Sequence, residues 1–139
     1  MSAIPNLTGI SIGGRAVLIM GEPGSGKSSL ALALIDRGAA LIGDDGVALV
    51  LRGQRLHASP PAPTAGMLEI RNVGLIDCPT AQDVPVALVL HLDHAAPRYI
   101  DAPETTEIAG ASLPLVRLWP ESPVLHLRAE AALARWGLP

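Results

Sequence analysis

Residues 21–28 read Gly-Glu-Pro-Gly-Ser-Gly-Lys-Ser, a glycine-rich run that ends in an amine and a hydroxyl. This is the spacing G-x-x-x-x-G-K-[ST], the Walker A pattern, in which a tight turn points backbone N–H groups at a phosphate. The lysine of such a loop reaches the β- and γ-phosphates, and the hydroxyl binds Mg²⁺. The sequence therefore predicts a nucleotide-phosphate site in which Lys27 supplies positive charge and Ser28 a metal ligand.

The residues on either side of this loop are those that a phosphate loop needs. An apolar run at 16–20 precedes it, and a helix-like run at 29–37 follows it, which gives the order strand, turn, helix. The start of a helix adds its positive dipole end to the site. We expect the phosphates to contact the loop and the helix start, which are Gly21, Glu22, Pro23, Gly24, Ser25, Gly26, Lys27, Ser28 and Ser29.

Chemistry beyond phosphate binding requires acidic groups, and the next strand ends in two of them. Asp44 and Asp45 follow the short apolar run 39–42. Carboxylates that leave a strand at the edge carrying the phosphate loop can approach Mg²⁺. One of the pair can bind the metal and the other can face a substrate hydroxyl. The alternative is a purely structural turn, because Gly-Asp-Asp-Gly is also good turn chemistry.

Glu69 is a third candidate carboxylate, within the apolar-polar alternation of residues 67–71. In a strand its side chain shares a face with that of Arg71. The pattern favours a site carboxylate and a solvent-facing ion pair equally.

Composition limits the class of protein. The 139 residues are 49% hydrophobic and only 2% aromatic, with no phenylalanine, so we expect one domain with an aliphatic core. The net charge is −3 and there is no basic run, which gives little support to nucleic-acid binding. The single cysteine, Cys78, excludes an internal disulfide and a cysteine-based zinc site. With no recognisable signal peptide, and with the apolar run 84–92 too short to span a bilayer, we expect a cytoplasmic protein.

The chain is expected to form a mixed α/β domain with more strands than helices. Only the first strand–helix–strand unit has the pattern of a parallel, doubly wound arrangement. The other expected elements are hairpins at 8–20 and 47–58, a stiff proline-rich connection at 59–63, strands at 67–71, 86–92 and 115–118, a long polar loop at 93–106, and a helix that starts at Ser122-Pro123 and ends at Gly137.

Together these segments resemble the catalytic domain of the HPr kinase/phosphorylase family, from about residue 6 to about residue 133. The resemblance is carried by the phosphate loop with its strand, by residues 32–45, and by residues 66–76, which read Gly-Met-Leu-Glu-Ile-Arg-Asn-Val-Gly-Leu-Ile. Residues 113–118 resemble the C-terminal stretch of short alphaproteobacterial members. Those members lack the N-terminal domain of the longer forms, and at this length we expect the same of this chain.

The resemblance implies a P-loop fold related to phosphoenolpyruvate carboxykinase. It implies Mg²⁺-dependent transfer of a phosphoryl group from ATP to a serine of the phosphocarrier protein HPr, and reversal by phosphorolysis, which releases pyrophosphate. It also implies a homo-oligomer, commonly a hexamer. On this resemblance Ser28 and Glu69 bind Mg²⁺, Asp44 supports the metal, Asp45 exchanges the serine proton, and Arg98 is an active-site arginine.

One position departs from the family. The family usually has an active-site histidine where this chain has Asn6. Asparagine can donate a hydrogen bond to a phosphate oxygen but cannot carry charge or a proton. Two alternatives therefore stay open, namely a kinase of the same fold with a different acceptor, and a nucleotide- or phosphate-sensing module with weak catalysis.

Overall fold

The computed structural model describes residues 2–61 and 65–139. In that part of the chain, eleven strands accompany two helices, α1 (Lys27–Asp36) and α2 (Leu125–Trp136). The strands are β1 (Ser2–Pro5), β2 (Thr8–Ile12), β3 (Arg15–Met20), β4 (Ala40–Gly43), β5 (Gly46–Arg52), β6 (Arg55–Ser59), β7 (Met67–Ile70), β8 (Gly74–Asp77), β9 (Val84–Leu92), β10 (Glu104–Ile108) and β11 (Ala111–Leu118).

The long strand β9 organises the main sheet, whose order is β1-β5-β6-β9-β3-β2-β4. Along one side β9 pairs in parallel with β3. Along the other side its first residues pair antiparallel with β6 and its last residues pair in parallel with β11, which also pairs with β10. A strand between neighbours and covered on both faces needs apolar side chains nearly throughout, and seven of the nine β9 residues are buried.

The parallel strands β3, β9 and β11 end at the same edge of the sheet. Met20 lies beside His91, and His91 lies beside Arg117. The phosphate loop leaves β3 at this edge, so the polar residues that end β9 and β11 are its neighbours.

Side chains of the central strands alternate between two cores, as the two-residue repeat of a strand requires. Val17 and Ile19 of β3 face the core that α1 and α2 cover. Ala16 and Leu18 face the opposite core, which β5, β6 and β11 complete. Burial on both faces fixes the register of β3, because a slip by one residue would exchange its two faces. The strand that carries the phosphate loop is therefore held firmly.

The structure confirms the mixed α/β class with many strands and few helices, and both expected hairpins are present. β3 and β4, which flank α1, run in the same direction with β2 between them. Several predicted bounds were wrong. The loop predicted over 93–106 ends where β10 begins at Glu104, the strands predicted over 86–92 and 115–118 begin at Val84 and Ala111, and α2 begins at Leu125 without a side-chain cap. Residues 74–77 form a strand, β8, that was not predicted. The proline-rich connection runs into residues 62–64, outside the described residues.

Neither described helix is long and apolar enough to cross a membrane.

Candidate active site

The phosphate loop folds as its glycines predict. Gly26 adopts φ 105°, a left-handed conformation that L side chains rarely take, and it is the N-cap of α1. Gly21 meets a different demand, because a Cβ there would lie 2.6 Å from the Ser25 hydroxyl oxygen. No side chain caps α1, so the N–H groups of its first turn are free of such partners and can bind an anion.

Lys27 and Ser25 are both placed to meet a phosphate. The Lys27 ammonium donates to the carbonyl oxygen of Gly21 at 2.8 Å, which holds it across the mouth of the loop. The Ser25 hydroxyl is buried and has no hydrogen-bond partner among the described residues. A buried hydroxyl without a partner costs free energy, which a bound phosphate oxygen would remove.

Asp44 and Asp45 form the tight turn between β4 and β5. Asp45 has φ 60°, and its N–H lies 3.5 Å from the Thr8 hydroxyl oxygen. Gly43 is required at the start of this turn, because a Cβ there would overlap the carbonyl oxygen of Gly46 and approach Pro61 Cδ at 3.0 Å. The turn is therefore compact and holds the two carboxylates at the sheet edge.

Asp44 connects this turn to two other elements. One carboxylate oxygen accepts a hydrogen bond from the Ser28 hydroxyl at 2.7 Å. The other accepts one from the Glu69 backbone N–H at 3.2 Å. The β7–β8 hairpin that carries Glu69 packs beside α1 through Leu68, which is fully buried. Side-chain packing and the Asp44 contact together place Glu69 beside the loop.

These groups line one cleft of about 390 Å³. Its walls are the loop and helix start from Pro23 to Ser29, the turn with Asp44 and Asp45, and the end of β7 with Glu69, followed by Arg71. The structure thus brings together every predicted site residue of these three segments. Of the remaining predicted residues, Gly21 and Glu22 lead into the loop from β3, whereas Arg98 is exposed on the 93–103 loop and does not line the cleft.

Hard oxygen donors suit Mg²⁺, which is usually held by one or two carboxylates together with substrate phosphates. Ser28, Asp44 and Glu69 offer such a set in one cleft. Among the described residues no group of three His, Cys, Asp or Glu side chains is close enough to hold a metal by itself. The donors therefore fit an ion that is completed by phosphate oxygens, and no all-protein metal centre is seen in the described part of the chain.

Sequence reasoning missed Thr8, a fully buried polar residue whose hydroxyl faces Asp45. It also missed the partners of His91. Arg117 donates to His91 Nδ1 at 3.0 Å, to Asp93 at 2.8 Å and to Glu104 at 2.7 Å. A hydrogen bond from Arg117 is the main cause that lowers the pKa of Glu104, while the pKa of Asp93 is lowered first by the Ala95 N–H and then by Arg117. The parallel register of β9 and β11 creates this cluster from residues far apart in sequence.

The segments that line this cleft match a known protein family. The model of the HPr Serine kinase C-terminal domain family matches residues 7–96, well over half of the chain. The chain belongs to this family. The match includes the phosphate loop, the paired aspartates and Glu69.

Members of the family resemble the chain in sequence and in structure. The HPr kinase/phosphorylase of Clostridium beijerinckii is 41% identical over 93 residues, covering 61% of this chain and 30% of that protein. The HPr kinase/phosphorylase of Limosilactobacillus reuteri is 35% identical over 120 residues, covering 77% and 38%. The chain thus spans about a third of the length of these relatives. A solved structure, the Hpr(Ser) kinase/phosphatase from Coxiella burnetii, matches with a TM-score of 0.84 and 29% identity over 96% of this chain and 95% of that one.

Proposed function

We propose that the chain is a Mg²⁺-dependent serine kinase/phosphorylase that moves a phosphoryl group between ATP, or pyrophosphate, and a serine of an HPr-like phosphocarrier protein. The observation that carries the proposal is the single cleft that holds the phosphate loop, Asp44, Asp45 and Glu69. A site that only bound phosphate would need no carboxylates near the phosphates, because like charges repel. The names of the family relatives support HPr as the acceptor.

In the proposed reaction the loop and Lys27 hold the donor. Phosphoryl transfer passes through a loose transition state, so the protein acts mainly by in-line positioning and by stabilising negative charge. The ammonium of Lys27 already lies at the mouth of the loop, against Gly21, where it can neutralise charge on the moving phosphoryl group. The unpartnered Ser25 hydroxyl is a further donor to a phosphate oxygen.

Asp45 is the proposed proton carrier. In the kinase direction the serine oxygen forms a bond to the terminal phosphorus, the bond from that phosphorus to the bridging oxygen of ATP breaks, and the serine proton passes to the Asp45 carboxylate. In the opposite direction inorganic phosphate attacks phosphoserine, pyrophosphate is released, and Asp45 returns a proton to the serine oxygen. The contacts of its backbone with Thr8 and Asn6 fix this residue at the cleft wall.

Ser28 and Glu69 are the proposed Mg²⁺ ligands, and Asp44 is the residue that orients Ser28 and the metal. Bound Mg²⁺ would supply positive charge to the phosphate oxygens. The contacts of Asp44 with Ser28 and with the Glu69 backbone hold these donors before any ion binds. Such preorganisation lowers the cost of binding the ion.

Three further parts of the proposal rest on the family resemblance. We propose a homo-oligomer, hexameric as is common in the family, and a cytoplasmic location, where ATP is available. Arg98 is proposed to act on the transferred group. Because Arg98 does not line the cleft, this role requires movement of the 93–103 loop or contribution of the arginine by another subunit.

The test is incubation of the purified chain with HPr, Mg²⁺ and either ATP or pyrophosphate, with the mass of intact HPr as the readout. We expect a gain of one phosphoryl group, no gain on an HPr variant with the acceptor serine changed to alanine, and no gain with the Lys27→Ala chain. Loss of the added group on addition of inorganic phosphate tests the reverse reaction. Tight ATP binding without transfer to HPr, or transfer to another acceptor only, would overturn the assignment.

A further inference from the structure

A second cleft, of about 560 Å³, lies at the same edge of the sheet. It is mostly apolar, with Leu7, Met20 and Ile108 among its lining residues, and it extends to the tip of the β10–β11 hairpin. Two carboxylates, Glu22 and Glu107, stand in its wall. Neither takes part in an ion pair in the described part of the chain.

One hydrogen bond links the linings of the two clefts near the position that the terminal phosphate of a donor would take. Gly21, whose carbonyl oxygen accepts the Lys27 ammonium, lines the second cleft, while Lys27 lines the first. In a loop of this type the lysine reaches the β- and γ-phosphates. The second cleft therefore adjoins the terminal phosphoryl group, which is the side from which an acceptor must approach in line.

A second connection runs through Asp45. The N–H of Asn6, which lines the second cleft, donates to the carbonyl oxygen of Asp45 at 3.2 Å, and Asp45 lines the first cleft. A serine hydroxyl that reaches the Asp45 carboxylate brings its neighbouring residues close to Asn6. The second cleft is the apolar surface that those neighbours would meet.

The polar groups of the second cleft indicate what it would accept. Arginine has only N–H donors, so in its contact with His91 the Nδ1 atom is the acceptor. Arg117 already forms ion pairs with Asp93 and Glu104. The charges left at the cleft are those of Glu22 and Glu107, which favour a cation.

We propose that this cleft is the specificity pocket for the phosphoryl acceptor. It takes an apolar side chain next to the acceptor serine, and Glu22 and Glu107 select a basic residue close to that side chain. The inference rests on the proposed function, since it assumes that a serine-bearing segment approaches Asp45.

Charge reversal at Glu107 tests the pocket by kinetics. We expect Glu107→Lys to raise KM for HPr about tenfold or more and to leave KM for ATP and kcat within about twofold, because attraction to a basic residue of the acceptor is replaced by repulsion. Glu107→Gln should give a smaller rise in KM for HPr, and this milder variant guards against misfolding of Glu107→Lys.

The control is Asp36→Lys, a charge reversal at an exposed residue at the far end of α1, about 14 Å from Lys27 by helix rise. A raised KM for ATP would identify a nucleoside pocket, and equal KM values for HPr in Glu107→Lys and Asp36→Lys would show that the cleft does not contact the acceptor; either result overturns the inference.

A binding experiment decides the question even if transfer to HPr fails. Short serine peptides with a leucine and a lysine beside the serine are titrated into isotope-labelled protein with a non-hydrolysable ATP analogue and Mg²⁺. We expect resonances of Ile108 and His91 to shift, and a peptide with glutamate in place of lysine to bind at least about tenfold more weakly. Absent shifts, no discrimination between the peptides, or shifts that follow protein concentration alone, as a second copy in the cleft would give, overturn the pocket. Failure of HPr to gain mass, with these shifts present, overturns only the proposed acceptor.

Discussion

The hydroxyl of Ser28 donates a 2.7 Å hydrogen bond to Asp44 across 16 positions of sequence. Ser28 lies in the first turn of α1, and Asp44 lies in the turn that follows β4. Because the second oxygen of Asp44 accepts the Glu69 N–H, this one carboxylate connects the helix, the turn and β7. The positions of the other two candidate metal donors, Ser28 and Glu69, thus both depend on Asp44.

Removing either partner of this bond should weaken metal binding. For Ser28→Ala and for Asp44→Asn we expect the Mg²⁺ concentration for half-maximal transfer to rise about 10- to 100-fold, the range for loss of a residue that orients a metal ligand. Measuring the transfer rate at increasing Mg²⁺ concentrations gives this half-maximal concentration. Because the two residues act through one contact, the double variant should lose less than the product of the single losses.

The matched control for that experiment is Ser112→Ala, an exposed serine of β11 outside both clefts. Its transfer rate should reach half of its maximum at the same Mg²⁺ concentration as that of the unaltered chain. Multiplicative losses in the double variant would show that Ser28 and Asp44 act independently, contrary to the role argued for their contact.

Asp45→Asn should separate chemistry from binding. Asparagine keeps the size of the side chain and the backbone contacts with Asn6 and Thr8, but it cannot accept the serine proton. Loss of a general base typically costs about 10²- to 10⁴-fold in rate, so we expect kcat to fall by that factor while the Kd for ATP changes less than about threefold. Radiolabel transfer and calorimetry measure the two quantities.

The control for Asp45→Asn is Asp36→Asn, the same chemical change at the exposed end of α1. It should alter neither quantity. Turnover by Asp45→Asn at the unaltered rate would rule out Asp45 as the proton acceptor.

The sequence predicted the parts of the candidate site whose residue types are required by their own loop or located by the pattern of a single strand. The glycines of residues 21–26, the lysine and the hydroxyl are required by the loop itself, and Asp44-Asp45 ends a strand that the apolar pattern locates. The strand pattern around Glu69 could not show whether this residue belongs to the site. The pattern does not reveal which element packs against the opposite face of the strand. The structure supplies that element, since Leu68 packs beside α1 and turns Glu69 toward the loop.

The remaining misses have the same physical origin. β8 is exposed along its whole length, and most of β10 is exposed and polar, so neither has the burial pattern by which a strand is recognised. Their existence depends on pairing with β7 and β11. The cluster around Arg117 likewise exists only because β9 and β11 lie in parallel register, which no local pattern reveals.

Gly43→Ala should disable the site through the backbone. The added Cβ would overlap the Gly46 carbonyl oxygen and press on Pro61, so the turn that presents Asp44 and Asp45 must open. Overpacking of this kind typically costs about 1–3 kcal/mol of stability. We expect a loss of unfolding free energy in that range, and a fall of at least about 100-fold in transfer rate, since misplacement of catalytic groups by about 1 Å has that effect.

Gly53→Ala distinguishes misplacement from general destabilisation. Gly53 has φ 61° in the β5–β6 turn, away from both clefts, so alanine there strains the backbone without touching the site. Urea unfolding should show a lower free energy of unfolding for both variants. The transfer assay should show a lower transfer rate for Gly43→Ala alone. Equal transfer rates in the two variants would contradict the role of the turn.

Arg117→Met should make stability less dependent on pH in acid. The pKa values of Glu104 and Asp93 are lowered in the folded protein, in part by hydrogen bonds from Arg117. A carboxylate with a lowered pKa stabilises the fold fully above its unfolded pKa, about 4 for these groups, and this contribution is lost as the pH falls through the folded pKa. Urea unfolding between about pH 3 and pH 7 should therefore show the unaltered chain more stable than Arg117→Met near neutrality, with the difference shrinking in acid. In a Glu104→Gln background the shrinkage should be smaller, because one of the two carboxylates no longer titrates. A difference that stays constant across the range would assign the effect of Arg117 to packing of its aliphatic stem rather than to its charge.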